Sequence, residues 1–321
     1  MKRDGFLSML FPLLLLAGLV ACGRVSASRS YAGRLLFVSE RDGEVDLYTA
    51  KVDGSELVRL TQNGRWDGFP VLSPDGSRVA YVAEERGADG SVVDREVHVM
   101  AIDGSKDVNV TNDPAFDQNP AWSPDGRRLA FVSMRDDRYQ GAIYIVDVDG
   151  RGLRRLTEDG DLPAWSADGS RIAFLAPSDG QLYVVHRDGS GKEALTDAPA
   201  RPTQAAANGR AVWSPDGSRI AFESNRDGNA EIYIVRADGS EMVNLSDDPA
   251  YDASPVWSPD GGRLAFLSTR DGKTDLYVMN ADGSGASNLT KGAREGFLPS
   301  WSPDGTHLAF VSDQGDGNQD I

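Results

Sequence analysis

Residues Asp252 to Thr290 read DASPVWSPDGGRLAFLSTRDGKTDLYVMNADGSGASNLT. Pro255-Val256-Trp257 leads into a turn at Ser258-Pro259-Asp260-Gly261. Arg263 to Ser268 is a run of β-formers, and Arg270-Asp271-Gly272 is a second turn. Asp275 to Asn280 is another such run, Asp282-Gly283-Ser284 a third turn, and Ser287 to Thr290 a short closing strand. Four strands joined by three tight turns make one antiparallel sheet. The turn residues have separate jobs. Pro presets φ at the first corner, Asp accepts backbone hydrogen bonds, and Gly takes the left-handed position that closes the hairpin.

The pattern recurs along the chain. Leu72 opens a Leu-Ser-Pro-Asp-Gly copy, and Trp122, Trp165, Trp213, Trp257 and Trp301 open Trp-Ser-Pro-Asp-Gly or Trp-Ser-Ala-Asp-Gly copies. Successive copies lie 50, 43, 48, 44 and 44 positions apart, which is the period of a propeller blade. The fold class is all-β: a six-bladed β-propeller of four-stranded antiparallel blades over residues 34–321, its ring closed by the N- and C-terminal strands. Leu-Ala-Phe-type strands start at Leu35, Val79, Leu129, Ile172, Ile220, Leu264 and Leu308. That is one more than the other strand types, so a seven-bladed or incompletely closed ring is the alternative. The motif Trp residues are expected in the core near the seams between blades.

The repeat resembles the WD40-like PD40 repeat of TolB-type propellers, over essentially all of residues 34–321. The resemblance implies a propeller of the bacterial cell envelope. TolB itself carries an α/β domain before its propeller, and residues between Cys22 and Arg34 leave no room for one. The envelope role of TolB is therefore not expected to carry over whole.

The amino terminus reads as a targeting segment. Lys2 and Arg3 precede an apolar run from Phe6 to Val20. The run is short for a membrane span, which needs ~20 residues, and suits a secretory signal. It ends Leu19-Val20-Ala21-Cys22, and Cys22 is the only cysteine of the chain. This resembles the lipobox of bacterial lipoproteins. The resemblance implies a signal peptide over residues 1–21, lipid on Cys22 and a short tether over residues 22–33. Several acyl chains on one residue give stable anchoring. The expected location is the periplasmic side of the envelope, and Gly23 in place of Asp favours the outer membrane. A net charge of −16 makes nucleic acid an unsuitable partner.

Little in the sequence assembles a catalytic site. His98, His186 and His307 occupy unrelated positions of their repeats, and no Gly-x-Ser-x-Gly elbow occurs. One weak Ca²⁺ pattern is present, with oxygen ligands at Asp313, Asp316, Asn318 and Asp320. No cofactor is expected beyond it.

Antiparallel order places the Ser-Pro-Asp-Gly and Asp-Gly-Ser turns on one face. The Arg-Asp-Gly turns and the interblade loops fall on the other. The second face varies, and variable loops on a rigid scaffold carry function. Its candidates for partner binding are Trp66, Phe116 and Tyr251, each followed by Asp, with Arg138 and Tyr139, the insertion from Glu84 to Arg95, and Arg201 and Arg210 in the long loop 197–211. Arg and aromatic residues are favoured at interface hot spots. The expected function is a non-enzymatic, lipid-anchored, monomeric propeller that binds an envelope protein or peptide on this face. The alternatives are a metal-dependent glycan-acting enzyme at the channel mouth and a purely structural envelope protein.

Overall fold

In a computed structural model, the described residues are 33–137, 139–197, 211–292, 295–313 and 319–320. They form an all-β propeller of antiparallel sheets. Five blades are complete, with four strands each in chain order from the inner edge outward. Blade 2 holds Trp66–Leu72, Arg78–Arg86, Val92–Ala101 and Val108–Asn109. Blade 3 holds Asp117–Trp122, Arg128–Ser133, Ala142–Asp147 and Arg154–Arg155. Blade 4 holds Asp161–Trp165, Arg171–Leu175, Leu182–His186 and Glu193–Ala194. Blade 5 holds Val212–Trp213, Arg219–Ser224, Glu231–Arg236 and Val243–Asn244. Blade 6 holds Asp252–Trp257, Arg263–Ser268, Asp275–Asn280 and Ser287–Asn288.

Both ends contribute to the closure. Sheet 1 has Arg34–Ser39, Asp46–Lys51 and Val58–Arg59. Sheet 7 has Glu295–Trp301, Leu308–Asp313 and Gln319–Asp320. Each is three-stranded. Phe37, Tyr48 and Ala50 of sheet 1 pack on Val311 of sheet 7. The surplus Leu-Ala-Phe-type strand finds its place here. Each end keeps its own copy, and the two sheets meet face to face instead of merging into one, so the described ring counts seven sheets.

Alternation along the Leu-Ala-Phe strand decides how blades stack. Leu129 and Phe131 pack toward blade 2, whereas Ala130 and Val132 pack toward blade 4. The small alanine leaves room for Trp165 of the next blade. Successive side chains of a strand point to opposite faces, so one three-residue string supplies both the knob and the space. Phe131, Phe174, Phe222 and Phe266 are all fully buried.

The motif Trp residues sit on these seams, as the sequence predicts. Each indole Nε1–H donates to an inner-strand carbonyl of the preceding blade. The pairs are Trp122 to Val71, Trp165 to Ala121, Trp213 to Ala164, Trp257 to Val212 and Trp301 to Val256, at 2.9–3.2 Å. Arginines at the start of the second strand cover four of these indoles. Arg78, Arg171, Arg219 and Arg263 lie 4.8–5.2 Å from the ring centroids of Trp122, Trp213, Trp257 and Trp301. Neighbouring Ser-Pro-Asp-Gly turns also touch. Gly261 has φ +70°, and a Cβ there would stand 3.5 Å from the Pro215 ring of the blade before. Each turn Asp accepts from the motif serine, as Asp260 does from Ser258 at 2.5 Å.

Trp257→Phe keeps most of the buried area and loses the indole donor. The expected cost is ~1 kcal/mol in denaturant unfolding. Trp257→Ala adds a cavity and should cost ~3–5 kcal/mol. Equal stability of the Phe variant and the parent would show that the seam hydrogen bond contributes nothing.

Candidate partner-binding face

The variable face is built where the inner strands begin. Trp66, Phe116 and Tyr251 stand at the same position in blades 2, 3 and 6, immediately before Asp67, Asp117 and Asp252. The three aspartates are fully buried. Two of their backbones tie neighbouring blades together: Asp67 N donates to Val45 O and Asp252 N to Ala230 O, each at the end of a turn of the preceding blade. Two residues on, Phe69, Asn119 and Ser254 adopt φ of 51–55° ahead of a proline. A register shift at each of these points marks a β-bulge. The bulge turns the strand at the channel mouth and lets the aspartate face the seam.

In blades 3 and 6 that aspartate meets the arginine of the Arg-Asp-Gly turn. Arg135 Nη2 lies 3.0 Å from Asp117 Oδ2, and Arg270 Nη2 lies 2.9 Å from Asp252 Oδ2. Each Nε also donates to a serine, Ser133 or Ser268. The same guanidiniums cover a Phe–Tyr pair. Arg135 is 5.1 Å from the Tyr144 ring centroid, and Arg270 is 5.0 Å from that of Tyr277. The tyrosine hydroxyls in turn donate to Asp136 and Asp271 of the turn. Even so, burial pushes the Asp117 carboxyl up to about 7, against the opposing pull of Ser133 and Arg135. Asp252 is raised for the same reason.

Blade 2 differs. Its second and third strands run on as a long hairpin with the turn at Gly87–Ser91, the insertion that the sequence shows between Glu84 and Arg95. Buried Glu84 accepts from Arg86 Nε and from Arg95 Nε, both at 2.8 Å. Arg95 reaches blade 3, where it covers the Phe116 ring and donates to Gln118 at 3.1 Å. Arg86 lies 6.0 Å from the Trp66 ring, and Trp66 packs on Phe69 at 5.6 Å. The indole folds back over Gly68, where a Cβ would fall 2.1 Å from the ring. Between this arm and sheet 1 lies a cleft of about 550 Å³. It is lined by Glu44, Asn63, Arg65, Trp66, Glu85 and Arg86, among others.

The structure thus brings Trp66 and Phe116 into one arginine-linked rim. Tyr251 stands apart on blade 6 and is 38% exposed. Tyr139, at the tip of the turn between the second and third strands of blade 3, is 86% exposed. Arg138, Arg201 and Arg210 lie outside the described residues, as do Cys22, Asp316 and Asn318. For Asp313 and Asp320 only the backbone is described. Among the described residues no group of three His, Cys, Asp or Glu side chains is placed to hold a metal ion. Sequence reasoning missed the Glu84 network. Its signal was present: Ala83-Glu84-Glu85-Arg86 stands where blades 3 and 6 have Ser-x-Arg-Asp.

The TolB beta propeller domain model of the PD40 family matches residues 88–212 and 202–321. A TolB homolog of Chlorobium luteolum is 32% identical over 71 residues, 21% of this chain and 16% of that protein. The chain therefore matches about one sixth of that relative's length. Among solved structures, TolB from Acinetobacter baumannii has a TM-score of 0.58 at 19% identity, covering 90% of this chain and 73% of that one. An oligogalacturonate lyase in complex with manganese has a TM-score of 0.67 at 18% identity, covering 89% and 84%. At these identities the likeness is one of fold.

The buried carboxylates give a test by pH. Burial pushes Asp67 up to about 6, against the hydrogen bond from Asn63. A folded-state value above the unfolded one means that the native state holds the proton longer. Stability from this residue is therefore lost as pH rises from about 4 through 6. Asp67→Asn should match the parent at pH 4 and exceed it at pH 8 in urea unfolding. An unchanged difference between the two proteins across that range would overturn the assignment.

Proposed function

The chain belongs to the TolB β-propeller (PD40) family, and from that premise we propose that it is a lipid-anchored envelope propeller whose variable face binds a protein or peptide. The observation that carries this reading is the contrast between the two faces. One face is a repeated set of short turns that touch each other across the seams. The other carries the departures from the repeat: the long hairpin of blade 2, exposed Tyr139, and the Trp66–Arg86 and Phe116–Arg95 stacks. Arginine on aromatic rings presents large, rigid contact area with charged donors at its edge. The chain is expected to work as a monomer. The anchor at Cys22, and with it the periplasmic and outer-membrane location, rests on the amino-terminal sequence. An enzymatic reading has the lyase likeness behind it, which supports the fold and supplies no residue set.

Two measurements test this. Cys22→Ser should move the protein from the membrane fraction to the soluble periplasmic fraction; retention at the membrane would remove the lipid anchor. Pull-down from detergent-solubilised envelope should enrich a specific partner. Replacing loop 197–211 by a short turn, together with Tyr139→Ala, should lower that capture with little change in Tm. Equal capture by the variant would exclude these residues as the binding surface.

A further inference from the structure

One position on the variable face is occupied by a cation in sheet 1 and in blades 3, 4, 5 and 6. Arg41, Arg135, Lys192, Arg226 and Arg270 each lie over an aromatic pair of their own sheet, 4.4–6.0 Å from the ring centroids. The pairs are Phe37–Tyr48, Phe131–Tyr144, Phe174–Tyr183, Phe222–Tyr233 and Phe266–Tyr277. Blade 4 shows how firmly the slot is kept. It lacks the turn arginine, and Lys192 from the outer edge fills the place, 4.4 Å from the Tyr183 centroid.

Blade 2 has no such cation. Its register places Tyr81 and His98 at the aromatic positions, directly opposite each other with centroids 5.3 Å apart. Glu85 stands where blades 3 and 6 place Arg135 and Arg270, and Ala83 stands where they place the serine that anchors it. Asp67 nevertheless remains, fully buried, at the position of Asp117 and Asp252. Its Oδ1 accepts from Asn63 at 3.2 Å, and its Oδ2 has no hydrogen-bond partner. The Tyr81 hydroxyl and His98 Nε2 are also buried without partners. His98 Nδ1 faces Asp107 at 3.1 Å. Buried polar groups are normally satisfied; Asp117 and Asp252 also keep one oxygen without a partner, so the unpartnered tyrosine hydroxyl and imidazole nitrogen are what set blade 2 apart. Asn63 both bonds Asp67 and lines the cleft beside sheet 1, so its amide links the buried carboxylate to the cleft. Glu44 and Glu85 stand at the rim of that cleft, and neither makes an ion pair among the described residues.

We propose that the cleft between sheet 1 and blade 2 receives an arginine side chain from a partner segment, which takes in trans the place that Arg135 and Arg270 hold in cis. The guanidinium passes Glu44 and Glu85 and displaces the Asn63 amide. It then pairs with Asp67 over the Tyr81–His98 rings, with the Trp66 ring as one wall. A planar fork of donors suits a carboxylate flanked by ring faces better than a compact ammonium does. The inference rests on the partner-binding reading of this face and adds to it the chemistry of the partner: a basic segment with a protruding arginine.

The probe is the tripeptide acetyl-Gly-Arg-Gly-amide, titrated calorimetrically into the full chain at low salt beside its citrulline counterpart, which keeps the shape and removes the charge. The arginine peptide should bind saturably, one per chain, and the citrulline peptide at least about tenfold more weakly. The double variant Ala83→Ser/Glu85→Arg rebuilds the internal cation, so it should abolish binding and unfold no more easily than the parent. Asp67→Asn, which keeps shape and removes charge, should weaken binding about tenfold as well. Equal binding of the two peptides, or undiminished binding by the rebuilt variant, would overturn the proposal. The envelope pull-down separates the two readings. Partner capture without arginine binding removes this inference alone, whereas arginine binding without any captured partner removes the broader one.

Discussion

The indole N–H of each motif tryptophan, donated to an inner-strand carbonyl of the blade before it, is the contact on which the ring depends. A blade of four short strands buries one face on each neighbour and has little core of its own. The seam must therefore fix distance and rotation together. A tryptophan does both, because its ring fills the space left by an alanine of the neighbouring blade while its one polar atom reaches a single carbonyl. The arginine that covers the ring shields it on the solvent side. The same contact in five successive seams gives the ring its uniform face.

A second repeated device operates at the opposite face. There a cation over two aromatic rings meets a buried aspartate, and a turn carboxylate holds the tyrosine hydroxyl. Burial raises the aspartates, and the guanidiniums of Arg135 and Arg270 pull in the opposite direction without reversing it. On the uniform face the balance runs the other way. Asp168, Asp216 and Asp304 accept from serine or threonine hydroxyls and turn amides, which hold them down to about 2. The uniform face is thus made of carboxylates that favour their charge. The variable face contains carboxylates that burial raises, and blade 2 is where the internal arginine has been exchanged for Glu85.

Much of this was legible in the chain. The spacing of the Ser-Pro-Asp-Gly copies gave the blade, and the alternation within Leu-Ala-Phe gave its two faces. The aromatic–Asp pairs at Trp66, Phe116 and Tyr251 were visible as a repeat. What they do was not visible, because the aspartates answer arginines eighteen residues downstream, Arg135 for Asp117 and Arg270 for Asp252, brought together by strand pairing. The insertion from Glu84 to Arg95 was visible, and the role of Glu84 in it was not, for a similar reason. Glu84 reads as one acidic residue in a polar insertion until the hairpin lays Arg86 and Arg95 on either side of it.

The sequence by itself determined the propeller, its turn chemistry and the sorting of its two faces. These depend on local φ preferences, side-chain alternation and short motifs, which neighbours in the chain decide among themselves. The tertiary structure alone decided how the ends meet and which carboxylates are buried without a counter-ion. It also decided that the cation slot of blade 2 stands empty among the described residues. Each of these depends on which residues distant in the chain face one another across a seam, and a periodic pattern carries no record of that.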